Sequence, residues 1–72
     1  ESTYSHGKKL VFQGEYFMTR AKGSDNNGYY KKALQSFRSA QGIFKKIGYN
    51  SRYAKWAKVR IRHISKNLQS SK

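Results

Sequence analysis

Between Tyr29 and Ile47 the apolar residues recur with the period of an α-helix. Tyr30, Ala33, Leu34, Phe37, Ala40, Gln41, Phe44 and Ile47 fall on one continuous stripe. A stripe this wide is too broad for a single partner, so the helix it predicts needs two neighbours. Proline is absent, the glycines read as punctuation, and long segments rich in Lys, Ala, Gln, Leu and Arg favour helix over strand.

The neighbours are found on either side. A first helix is predicted from Lys8 to Lys22, with Leu10, Gly14, Phe17, Met18 and Ala21 on its inward face and Gly23 as its stop. Gly14 on that face lets another helix come close. The polar turn GSDNNG follows, in which Asn26 or Asn27 caps the second helix. Gly48 ends that helix, Tyr49 packs back over its last turn, and Asn50 or Ser51 caps a third helix reaching Leu68. Tyr53, Ala54, Ala57, Ile61, Ile64 and Leu68 form its inward face. Glu1 to Gly7 and Gln69 to Lys72 are expected as tails. Short connections make consecutive helices antiparallel, so the expected fold is all-α, a three-helix antiparallel bundle over 8–68.

A chain of 72 residues allows one domain. It buries roughly 60% of its unfolded surface, which leaves no room for a deep pocket and argues against an enzyme. Without cysteine there is neither a disulfide nor a thiolate zinc site. No apolar run approaches the ~18 residues of a membrane span, and ESTYSHGKK is neither a signal peptide nor an apolar anchor. A soluble chain is expected, with the cytoplasm as default location. Starting without Met, it is expected to be a fragment or a processed product.

Charge points to a partner. Lys and Arg number 16 against Glu1, Glu15 and Asp25, a net charge of +13. Solubility needs a magnitude of only about 2 to 8 in a small domain. The surplus repels itself and attracts polyanions, nucleic acid foremost.

The stretch NGYYKKALQSFRSA carries a resemblance. Gly28, Tyr30, Ala33, Phe37 and Ala40 stand at the spacing of the small and aromatic packing residues around the second helix of a tetratricopeptide repeat. Phe17 and Ala21 fall where the first helix of such a repeat has its large and small packing residues. The YxxAL stretch also resembles the microtubule-interacting and trafficking domain. Both resemblances imply antiparallel helices and a groove that binds protein. A stable solenoid needs about three repeats, so one and a half imply an exposed apolar flank, covered by self-association or by further helices of a longer chain.

The cations form stripes. Lys31, Arg38 and Lys45 recur every seven residues on the second helix, with Lys32 and Lys46 beside them. Arg52, Lys55, Lys58, Arg62 and Lys66 occupy the outward side of the third. Such stripes are commonly the solvated faces of amphipathic helices, but a solvated face normally mixes signs, and these two helices contain no acid. Phosphate contacts through Lys31, Arg38, Lys45, Lys46, Arg52, Lys55, Lys58, Arg62 and Lys66 are therefore expected. Trp56, Arg60 and His63 share a flank of the third helix. Trp56, the only tryptophan, is first a core or seam residue and second a ring for stacking bases. Phe12 and Tyr16 lie opposite the first helix's inward face, as contacts for a further helix or as an exposed platform. A recognition helix within RYAKWAKVRIRHISK is disfavoured, because the second helix packs over too much of its length for a short helix-turn-helix partner.

Reactive chemistry is nearly absent. His6 and His63 lack nearby carboxylates, so neither a metal site nor a proton relay is expected. Asp25 in SDNNG is one carboxylate among amides, suited to a turn rather than calcium. GxxxxGK[ST] is not matched after Gly28. The expectation is a non-enzymatic nucleic-acid-binding module without cofactor, favouring RNA or non-specific binding. The alternative is a module gripping an acidic peptide or partner helix beside the second helix. A membrane-surface helix is disfavoured, since the inward faces are needed for the core.

Overall fold

The computed structural model describes residues 3–24 and 27–70 and contains three helices: α1 Thr3–Ser24, α2 Asn27–Lys46 and α3 Arg52–Ser70. No strand occurs among the described residues. The chain is the all-α bundle its periodicity predicts.

Several expected boundaries are corrected: α1 runs through Gly23, expected as its stop, to Ser24, and α2 spans Asn27–Lys46, which leaves Ile47 of the expected stripe outside the helix and exposed. Helix α1 begins at Thr3 rather than Lys8, so most of the segment expected as an N-terminal tail is helical. Its anchor is Tyr4, whose ring lies 5.0 Å from Tyr49, 6.1 Å from Phe44 and 6.3 Å from Tyr53. At the other end α3 runs on through Ser70, with Leu68 packed against the core. Residues 1–2, 25–26 and 71–72, with the turn residue Asp25 and the capping candidate Asn26 among them, lie outside the described residues.

The α1–α2 hairpin is built on glycines meeting rings. A Cβ on Gly14 would lie 2.7 Å from Phe37 Cζ, and one on Gly7 would lie 2.8 Å from Phe44 Cε1. Both phenylalanines are fully buried. The glycines are seven residues apart, as are the rings, so the antiparallel register is set twice. Val11, Met18 and Ala21 complete the buried face of α1, and Ala33 and Ala40 that of α2. Val11 replaces the expected Leu10, which with Phe17 is only partly buried. Ala57 and Ile64 close the core from α3. Truncating either buried phenylalanine to Ala costs about 3–5 kcal/mol, a large share of the about 5–15 kcal/mol that holds a domain folded.

The α2–α3 corner follows the expected chemistry. Gly48 adopts φ 74°, a left-handed conformation that costs other residues more. Its N–H reaches the Lys45 carbonyl at 3.2 Å, and the Tyr49 N–H reaches that of Phe44 at 2.8 Å. This is a Schellman closure, completed by the Tyr49 and Phe44 rings 4.9 Å apart. Ser51 then precedes α3, its carbonyl accepting from the Lys55 N–H at 2.9 Å. None of the helices is long and apolar enough to cross a membrane.

Candidate nucleic-acid interface

Residues of α2, the corner and the start of α3 line a groove of about 850 Å³. Arg38 and Lys45 come from the α2 wall and Lys55 and Lys58 from the α3 wall. Gln41, Gly42, Gly48, Tyr49, Asn50 and Ala54 line the rest. No carboxylate is among them, so the cations share one concavity without an opposing charge. Two cations of each stripe thus line a single concavity.

The remaining expected phosphate ligands do not line this groove. Lys31 is exposed and continues the α2 row, one heptad before Arg38. Lys46, Arg62 and Lys66 are exposed but are not groove-lining. Arg52 opens α3 near the phenols of Tyr4 and Tyr49.

Tyr49 is the groove residue with perturbed acidity. Burial opposes its ionisation, but hydrogen bonds from the Tyr4 and Ser51 hydroxyls and the Tyr53 backbone, with the Arg52 charge, hold its phenol below the usual tyrosine value. For Tyr4 the hydrogen bond to Tyr49 comes first and burial second, and both push its phenol up.

The aromatic candidates gather elsewhere, at the seam between α1 and α3. Trp56 is half-buried there, its indole N–H donating to Glu15 Oε2. Arg60 Nε donates to the same oxygen at 2.6 Å. Tyr53 and Trp56 stack with their planes 13° apart, and Phe12 stands edge-on to both at 5.9 and 6.0 Å. Phe12 is nevertheless 48% exposed and Tyr16 57%. The Arg20 guanidinium lies 5.8 Å from the Tyr16 ring, and Lys8 Nζ lies 5.5 Å from that of Tyr53.

The sequence reading did not find the groove floor of Gln41, Tyr49 and Asn50, nor the role of Glu15. The available signal for Glu15 was position, since it follows Phe12 by one turn and is the only acid on any of the three helices. His6, expected in a mobile tail, is instead exposed on α1. His63 is exposed on α3, its Nε2 3.3 Å from Asn67 Nδ2. Among the described residues no three His, Cys, Asp or Glu side chains come together for a metal.

No known protein family matches the chain, and no curated protein or solved structure matches it significantly.

Proposed function

We propose that the chain is a small helical nucleic-acid-binding module that holds a phosphate backbone in the groove between α2 and α3. The observation that carries this reading is the gathering of Arg38, Lys45, Lys55 and Lys58 around one concavity with no acid in its lining. Water-facing cations on one helix repel each other weakly, but cations brought together from two helices create a field that only an anion relieves. An extended polyanion fits better than a single small one, because Lys31 continues the α2 row one heptad before Arg38, and Arg62 follows Lys58 by one turn of α3. Binding carried by these cations through phosphates is largely independent of sequence.

The test is binding of the whole chain to labelled single-stranded RNA, duplex DNA and an acidic peptide pool across a salt series. Four groove contacts give a slope of log affinity against log salt near −3 on single strands, from about −0.7 per phosphate. Changing Arg38 and Lys45 to Gln, or Lys55 and Lys58 to Gln, lowers the steepness by about 1.4 in either case, because the walls serve one ligand. Weak, uniform binding of all oligonucleotides beside tight binding of one acidic peptide rejects the proposal. That outcome favours the groove as a peptide cleft, for which Tyr49 and Ala54 in its lining supply the apolar contact.

A further inference from the structure

We propose that the nucleic acid is bound single-stranded, with unpaired bases stacked on a ring strip of α1 formed by Phe12, at the α1–α3 seam, and Tyr16, one turn further on. This rests on the nucleic-acid reading above and adds which form of the polymer the chain selects.

The strip is preorganised. Phe12 and Tyr16 are one turn apart on α1, hence on the same side of the helix, and both are about half exposed. Phe12 is held against Tyr53 and Trp56, and Trp56 is itself fixed by Glu15. Tyr16 is braced edge-on by Phe17 at 5.6 Å. Little side-chain freedom remains to be lost when a flat partner arrives, which is what makes a ring a good stacking platform.

The charge around the rings selects the occupant. Lys8, Lys9 and Arg20 lie on the same helix, two of them already over tyrosine rings. A second copy of this chain carries the same +13 and is repelled. An apolar peptide gains no attraction from this positive field, and a duplex keeps its base faces inside the stack. A single strand offers flat faces and phosphates together.

The experiment compares an oligothymidylate with an abasic strand of equal length, which has the phosphates and lacks the bases, and with a blunt duplex. Wild-type protein is expected to bind the oligothymidylate roughly 5- to 150-fold more tightly than the abasic strand for each stacked base. Phe12→Ala with Tyr16→Ala abolishes that ratio and leaves the abasic affinity unchanged. Tyr16→Ala alone, whose ring packs only at the surface, gives part of the loss and guards against misfolding of the double variant. Equal, salt-steep binding of intact and abasic strands overturns the single-strand inference while the phosphate groove stands. Failure of every strand to bind overturns both.

Discussion

Gly14 of α1 lies against the ring of Phe37 of α2 so closely that a Cβ there would meet Cζ, Cε2 and Cε1 at 2.7, 2.8 and 2.9 Å. The ring is fully buried and has nowhere to turn. Gly14→Ala therefore gains about 1 kcal/mol of helix propensity but loses about 1–3 kcal/mol to overpacking, a net destabilisation. Gly42→Ala is the control, since nothing lies within 4 Å of its Cβ position. It stabilises by about 0.5–1 kcal/mol. Denaturant midpoints of the two variants should move in opposite directions, and a shared direction removes the glycine-to-ring account of the hairpin.

Glu15 joins α1 to α3 by accepting from both Trp56 and Arg60. The Arg60 and Glu15 side chains keep 37% and 25% of their exposure, so the pair is worth less than a buried one. Glu15→Ala is expected to cost about 1 kcal/mol. Emission from the single tryptophan should shift to the red as the indole loses its acceptor. Glu15→Gln retains an acceptor and gives a smaller shift. An unchanged spectrum in Glu15→Ala would show that the seam does not depend on this carboxylate.

The phenols of Tyr4 and Tyr49 should ionise apart, on either side of the usual tyrosine value of about 10. Tyr49 titrates below it, and since its folded value is the lower one, its ionisation favours the folded state as pH rises through that value. Tyr4 titrates above it. Its contribution is intact below the unfolded value and is lost as pH rises through the folded one. Phenolate absorbance should show an early and a late tyrosine among the six. Tyr49→Phe should remove the early step and bring Tyr4 back towards 10. Six tyrosines titrating together would contradict the hydrogen bond between them.

What could be read from the chain depended on whether large residues marked each face. Helix α2 was legible because Phe37 and Phe44 stand on its stripe, and the corner was legible because Gly48 and Tyr49 act through local bonds. The inward face of α1 was legible at Gly14, Met18 and Ala21, with Leu10 and Phe17 packed at its edge, whereas Gly7 has no hydropathy to display and Val11 stands beside the larger Leu10. The polar ESTYSHG segment resembled a tail because what anchors it, Tyr4 on Phe44, Tyr49 and Tyr53, joins residues far apart in sequence. The cations were legible as stripes on separate helices. Their convergence depended on how α2 and α3 pack together, which no local pattern encodes.

The left-handed turn at Gly48 gives the groove a hinge pin. Its walls are lined with cations that Lys and Arg supply almost interchangeably, whereas the corner joining them requires a residue that tolerates φ 74°. The spacing of the walls is thus set at an uncharged residue without a side chain, so exchange among the basic positions alters the charge of the groove while leaving its width unchanged.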